Sequence, residues 1–211
     1  MHSKEEAYKL TSSRSHKSYY DKWASKYDEE FVRAENYKYP EIISNIFRKL
    51  GGNKYNPIAD IGCGTGVLGE QFVGENLILD GFDISAKMLS EAKRKNVYRR
   101  LIECDITKPN ELPSTLYGGA ISCGTFTLGH LGPKHIKKVV EILVEDGLAV
   151  IGINKEHFLK EGFDNEVSKL EATKQIKKVN FFEAEIYRND SEKTLYSIPN
   201  DRIAKILTFH K

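Results

Sequence analysis

Three cysteines in 211 residues, at positions 63, 104 and 123, are too few and too irregularly spaced for a disulfide framework or a CxxC-type zinc site. Such sparse, unpaired thiols fit a reducing compartment. No run of about 18 apolar residues occurs, so nothing reads as a membrane span. The opening stretch MHSKEEAYKLTSSRSHKSYY also lacks the apolar core of a secretory signal. The expected location is cytoplasmic, and nuclear as well. An excess of one charge sign is missing too. Lys and Arg number 32 against 30 Asp and Glu, and residues 1–50, 51–150 and 151–211 carry +2, −1 and +1. A dedicated nucleic-acid binder shows a basic stripe, because phosphate neutralisation supplies most of its affinity. The basic runs Lys93-Arg94-Lys95 with Arg99-Arg100, and Lys137-Lys138, read instead as solvated surface. No nucleic-acid or membrane partner is expected.

What is present is a chain of single-domain length with 40% apolar residues, enough to bury about 70% of its unfolded surface without staples. Residues 1–18 are polar and aperiodic and are expected to form a mobile tail before one domain over 19–211. From Tyr20 the residues Tyr20, Trp23, Ala24, Tyr27, Phe31 and Ala34 recur at helical spacing, an unusually aromatic stripe that reads either as core or as a lid. A second helix follows Pro40, with Ile42, Ile43, Ile46, Phe47 and Leu50 on one face and Gly51-Gly52 as its stop. From Pro57 short apolar runs alternate with helical patterns, the mark of a mostly parallel α/β sheet covered by helices. Strands are expected at 58–61, 77–82, 99–104, 119–122 and 148–153, and helices near 67–73, 86–95, 133–144 and 164–178. Runs at 179–187 and 203–210, separated by a polar turn around Arg188–Glu192, resemble a hairpin at the sheet edge.

The most informative segment is Asp60-Ile61-Gly62-Cys63-Gly64-Thr65-Gly66-Val67-Leu68-Gly69, which follows a strand and opens a helical pattern. It satisfies GxGxxG, so a dinucleotide oxidoreductase has to be weighed. Asp60 argues against it, because a carboxylate beside a pyrophosphate repels at close range. S-adenosylmethionine carries no phosphate and has a cationic sulfonium and an ammonium, so an acid at this loop is compatible with it. Asp83, 17 residues beyond Gly66 at a strand end, suits the two ribose hydroxyls; the alternative is a cap on the next helix, where Ser85 is the better cap. Asp105, after the following strand, suits an adenine amino group, with Ile106 packed on the ring.

In this order and spacing, Asp60-Ile-Gly-Cys-Gly-Thr-Gly66, Gly81-Phe-Asp83-Ile-Ser and Cys104-Asp105-Ile106 resemble motifs I to III of the class I, Rossmann-like S-adenosylmethionine-dependent methyltransferases. Tyr20-Asp-Lys-Trp-Ala-Ser-Lys-Tyr27-Asp, Gly124-Thr-Phe-Thr-Leu-Gly-His130 and Ile153-Asn-Lys-Glu-His157-Phe are similar, more narrowly, to the methyltransferase-like proteins of the Williams–Beuren syndrome region group. The resemblance implies methionine contacts at Asp60, Gly62, Cys63, Gly64 and Gly66, ribose contact at Asp83, stacking by Ile84, and adenine contacts at Asp105 and Ile106. Met88, Cys123 and the lid aromatics Tyr20, Trp23 and Tyr27 complete the expected cofactor set. It also implies a seven-stranded, mostly parallel sheet with helices on both faces and an antiparallel last strand. Val144-Glu-Asp-Gly147 replaces the family's usual Lys-Pro-Gly-Gly in a turn away from the cofactor.

Transfer from a sulfonium is an in-line displacement that positioning and desolvation can drive, so a general base is optional and no metal is expected. The substrate should lie beyond the carboxyl ends of the fourth and fifth strands. His130 is the first candidate base or substrate ligand there, with capping of the helix after Pro133 as the alternative; His157 is the second. The Asn/Asp-Pro-Pro-Tyr segment typical of exocyclic-amine methylation is absent. The expected activity is therefore methylation of a small-molecule acceptor at oxygen or nitrogen. A non-catalytic cofactor-binding partner protein, a protein or RNA methyltransferase and a nicotinamide oxidoreductase stand as alternatives. The three cysteines fall at neighbouring strand ends, as small buried residues or as ligands of a thiophilic substrate.

Overall fold

The computed structural model describes residues 2–109, 111, 116–187 and 198–211. Seven strands form one sheet: β1 (Ile58–Ile61), β2 (Leu79–Asp83), β3 (Arg100–Glu103), β4 (Tyr117–Phe126), β5 (Leu143–Asn154), β6 (Lys177–Glu185) and β7 (Ile203–His210). Their order is β3-β2-β1-β4-β5-β7-β6; β7 alone runs antiparallel to both its neighbours. The expected α/β class and antiparallel last strand are thus observed. The expected polar turn at 188–192 lies outside the described residues.

Period-two alternation splits the apolar residues of each strand between two cores. Ala59, Ile61, Ala120, Ala149 and Ile151 face α5 (Ile136–Ile142) and α7 (Phe163–Ala172). Ile58, Ile121, Leu148 and Val150 face α3 (Tyr39–Lys49), whose Ile43 and Phe47 are fully buried. Because both sheet faces are covered, the middle strands read as near-continuous apolar runs.

Several boundaries differ from the pattern-based expectation. The helix expected near 67–73 is only a 3-10 turn over Gly69–Phe72. The helix after Pro133 stops at Ile142, and β5 begins at once at Leu143, which pairs with Tyr117. A helix over Lys155–Glu161, α6, precedes α7, and β6 starts at Lys177, inside the stretch expected to be helical. Residues 1–18 were expected to be aperiodic, yet they contain α1 (Lys4–Ala7) and the first turns of α2 (Ser13–Tyr27). A reciprocal Ser12–Ser15 capping box starts α2 seven residues before the aromatic stripe does. The helix then widens into a π turn over Asp28–Arg33.

One buried charge marks the β2–β3 side of the sheet. Asp80, fully buried in β2, accepts hydrogen bonds from Arg99, Arg100 and, at 2.8 Å, the Tyr117 hydroxyl. Burial works to raise its pKa, but these donors outweigh it and hold the carboxyl at about 2. Replacing Asp80 by Ala leaves the buried Tyr117 O–H without an acceptor and with only the long Arg100 contact at 3.4 Å, while the half-exposed arginines turn to water. Asp80→Ala is expected to lower the unfolding free energy by about 2 kcal/mol at pH 7 in urea titrations. The wild-type contribution is present above the ordinary carboxylate pKa and is lost as pH falls toward about 2, so the two proteins should converge there.

Candidate active site

A cavity of about 890 Å³ opens at the carboxyl ends of β1, β2 and β4, where ligands lie in open α/β sheets. Its floor is the loop Gly62–Thr65. One side is Asp83, Ile84 and Met88, followed by Cys104 to Thr107. The other is the end of β4 with residues 129–135, and His16, Tyr20 and Tyr27 of α2 form the roof.

The floor is shaped by a tight turn. Gly62 has φ +70°, and a Cβ there would collide with Thr125 Oγ1. That hydroxyl donates to the Ile61 and Gly62 carbonyls, while Ser122 Oγ donates to Ile61 O, so the broken ladder at the end of β4 holds the loop in place. Asp83 holds it from the other side. Its Oδ2 accepts from Gly64 N–H at 2.9 Å and its Oδ1 from Ser85 N–H at 2.8 Å. Ser85 itself caps α4 (Ala86–Arg94) through Met88 N–H, so Asp83 is not the cap. Burial pushes the Asp83 carboxyl up to about 6 against those two hydrogen bonds.

Asp105 is placed differently. Burial works to raise its pKa, but the Thr107 and Ser13 hydroxyls and the Thr107 amide outweigh it and hold it below the usual carboxylate range. The described cavity lining therefore carries three acids, Asp83, Asp105 and Glu161, against one cation, Lys134. A pyrophosphate would find almost nothing to neutralise it. A sulfonium with an attached ribose and ammonium fits: the glycine loop leaves room for the methionine end, and Asp83 retains free lone pairs for two hydroxyls. Ile84 and Ile106 offer apolar faces to a purine.

Three expected cofactor residues are absent from the described cavity lining: Gly66, which turns toward Tyr98 and Ala92, Asp60 and Trp23. Asp60 is not on the cavity wall. It sits fully buried beneath the loop, where Tyr98 O–H donates to its Oδ2 at 2.7 Å, and Oδ1 has no partner among the described residues. Burial pushes it up to about 7, opposed by the Tyr98 bond. Tyr98, between α4 and β3, carried no sequence signal for this role. Trp23 is 2% exposed in an aromatic cluster with Tyr19, Tyr27 and Phe31, and its indole N–H donates to Glu30. It is core, whereas Tyr20 and Tyr27 of the same stripe reach the cavity.

The histidines need closer placement. Of the two readings of His130, a base or substrate ligand and a cap on the helix after Pro133, the cap is not observed: Gly132 takes that position. His130 Nδ1 donates to Leu128 O at 2.9 Å, and its Nε2 therefore accepts from Tyr20 O–H at 3.0 Å. Burial, with the His16 ring 4.2 Å away, lowers its pKa to about 4, so at neutral pH it is an uncharged wall residue. His157 is buried in the first turn of α6, its Nε2 donating to Leu131 O. His16 and His135 also line the cavity and were passed over in the sequence. His16 stands four residues before Tyr20, so the helical stripe extended backwards would have found it. Cys63, Cys104 and Cys123 all reach the wall, as their places at strand ends implied. Burial raises all three thiols, Cys104 to about 12, so they are weak nucleophiles.

Residues 58–147 match a family model described as a methyltransferase domain. No curated protein matches the chain. Among solved structures, the chain is similar to magnesium protoporphyrin IX methyltransferase from Synechocystis with bound S-adenosylmethionine: 15% identity, TM-score 0.64, covering 96% of this chain and 98% of that one. An S-adenosylmethionine-dependent methyltransferase from Clostridium acetobutylicum gives 18% identity and a TM-score of 0.58 over 90% and 98% of the two chains. The N-methyltransferase NodS from Bradyrhizobium japonicum gives 15% and 0.55 over 88% and 98%. At these identities the structural likeness is one of fold.

The buried Asp60 leads to a pH test. Its folded pKa lies above the unfolded value, so its share of stability is present below the ordinary Asp value and is lost as pH rises through about 7. Asp60→Asn keeps an acceptor for Tyr98 and cannot ionise. In thermal unfolding, its Tm relative to wild type should climb as pH rises from about 4 to about 7 and then level off. A Tm difference independent of pH would contradict the assignment.

Proposed function

We propose that the chain, an S-adenosylmethionine-dependent methyltransferase in fold and in its cofactor segment, methylates a small-molecule acceptor at oxygen or nitrogen. The observation that carries this reading is the single cavity, poor in cations, that unites the glycine loop, Asp83 and Asp105 with a roof from α2. A volume of about 890 Å³ has to hold cofactor and acceptor together, which suits a compact acceptor. In this reading residues 19–211 form one methyltransferase domain, residues 19–52 contribute the roof together with His16 before them, and no metal takes part. The resemblance to the Williams–Beuren syndrome region group, carried by the segments around Tyr20, His130 and His157, belongs to the same proposal. So does a cytoplasmic or nuclear location; among the described residues no helix is long and apolar enough to cross a membrane.

Each residue then has a stated task. Asp83 accepts from the ribose hydroxyls with the lone pairs that Gly64 and Ser85 leave free. The backbone of Gly62, Cys63 and Gly64 admits the methionine portion, with no Cβ in the way at the two glycines. Asp105, Ile84, Ile106 and Met88 surround the adenine. Tyr20, Tyr27 and Cys123 close the cavity above the reacting end and exclude water. The bound cofactor supplies an electrophilic methyl on a sulfonium. The protein's share is to hold the acceptor in line with that methyl, which is the largest gain available where the leaving group is already good.

Labelled S-adenosylmethionine incubated with a fractionated cell extract, followed by mass identification of the product, tests the reading. Label in a small molecule is the expected result. Label in protein or RNA overturns the acceptor class, and tight cofactor binding with no turnover in any fraction makes the chain a binding partner instead. Asp83→Ala should weaken S-adenosylhomocysteine binding in calorimetry by at least about tenfold, about 1.4 kcal/mol.

A further inference from the structure

Of the three glycines in the GxGxxG pattern, Gly64, Gly66 and Gly69, only Gly64 belongs to the described cavity lining. The other two make room for a side chain. Tyr98, in the connection from α4 to β3, lies beneath the cofactor loop and touches the chain on both sides of Gly62–Thr65. Before the loop, its O–H donates to Asp60 Oδ2 at 2.7 Å. After the loop, a Cβ on Gly66 would come within 3.0 Å of the Tyr98 ring, and a Cβ on Gly69 would collide with the Tyr98 hydroxyl. The Gly69 amide, in a 3-10 turn without a side-chain cap, hydrogen-bonds that same hydroxyl. The sheet is cut away to match. Asp60 in β1 pairs across to Gly81 in β2, and Gly81 to Leu101 in β3. A side chain at Gly81 would crowd Cys63, Leu101 and the Tyr98 ring, so its absence leaves the lane by which Tyr98 reaches Asp60. Burial, with Asp60 beside it, pushes the Tyr98 hydroxyl well up, which keeps it a donor.

We propose that Tyr98 is a positioning residue for the cofactor: by binding the strand before the loop and the turn after it, it fixes the span of Gly62–Thr65 and with it the seat of the methionine portion. The inference rests on the methyltransferase reading of that loop and adds a residue that does not reach the cavity. Other contacts hold the loop from above and within. Gly62 and Cys63 N–H donate to Phe82 O, Gly66 N–H closes the turn on Cys63 O, and Gly64 N–H is bound by Asp83. These tie the loop to β2 and set its curvature. Tyr98 adds the tie between its two ends, since one hydroxyl serves both Asp60 and Gly69. Tyr98→Phe keeps the ring and removes both hydrogen bonds, leaving a buried carboxyl and an amide that the loop must shift to satisfy.

The test compares S-adenosylhomocysteine with adenosine, which keeps the nucleoside and lacks the methionine portion. Both are titrated into the full chain at a temperature where circular dichroism shows each variant folded. Tyr98→Phe should weaken S-adenosylhomocysteine binding at least about fivefold and leave adenosine affinity within about twofold. A residue that only stabilised the fold would lower Tm and move neither affinity, or both alike. Gly69 supplies a second readout. Gly69→Ala should weaken S-adenosylhomocysteine binding at least about fivefold in the wild-type background, where the new methyl displaces the Tyr98 ring. Beside Tyr98→Leu, whose smaller side chain leaves room, the same substitution should cost less than about twofold. If either of these variants does not fold, the pair of affinities in Tyr98→Phe decides alone. Unchanged S-adenosylhomocysteine affinity in Tyr98→Phe, equal losses for the two ligands, or the same loss from Gly69→Ala in both backgrounds would each overturn the proposal. Failure of the methyltransferase reading itself would appear separately, as no S-adenosylhomocysteine binding by the wild type.

Discussion

The Asp83 carboxylate, held between the amides of Gly64 and Ser85, is the contact on which the rest of the site depends. It ties the glycine loop to the end of β2 and to the start of α4 in one stroke. Among the described residues no cationic side chain hydrogen-bonds it, so its charge is balanced mainly by backbone dipoles with a smaller share from Lys17, and burial lifts its pKa. An acid held this way in a low-dielectric cleft is a poor neighbour for phosphate and a good one for hydroxyls near a sulfonium. The geometry that makes the loop fold is therefore also the geometry that chooses the cofactor.

The roof is fastened to the same loops by polar contacts. Ser85 Oγ donates to Asp21, Thr65 Oγ1 donates to Asp28, and Lys17 reaches both Ile84 O and Glu103. Lys95 of the α4 C-cap joins Asp28 and Glu70, each at 2.7 Å. The π turn over Asp28–Arg33 follows directly, and such turns cost helical regularity that packing has to return. Here the return is the aromatic cluster of Trp23, Tyr27 and Phe31, which seats the helix on the core and frees Tyr20 to face the cavity. The position of Tyr20, and with it the His130 hydrogen bond, is thus a consequence of the residues around the cofactor loops.

Much of this was legible in one dimension wherever a strong local rule acted alone. β1 and β7 coincide with the apolar runs that announced them, and α4 begins at its Ser85 cap. Boundaries failed where two rules compete. Between Pro133 and Val144 the apolar spacing continues as a helix, yet pairing with Tyr117 draws Leu143 into β5. The stretch 164–178 reads as one helix, but α7 ends at Ala172, and Lys177 and Lys178 belong to the edge strand beside β7. Residues 13–18 looked like a tail because they are polar, and they are helical because a serine box starts the helix over a cavity whose wall accepts His16.

The sequence by itself determined the α/β class, the order of the motifs and the chemical character of the cleft. Those depend on strand period, glycine backbone freedom and the sign of nearby charge, all written along the chain. Which side chains reach the cavity was decided only by tertiary structure. Asp60 carries the family signature yet faces Tyr98 beneath the loop, and Trp23 shares a stripe with Tyr20 yet turns into the core. The histidines show the limit most clearly. An imidazole's charge and tautomer follow from its burial and from the carbonyl that meets its other nitrogen, and both are supplied by residues distant in the chain.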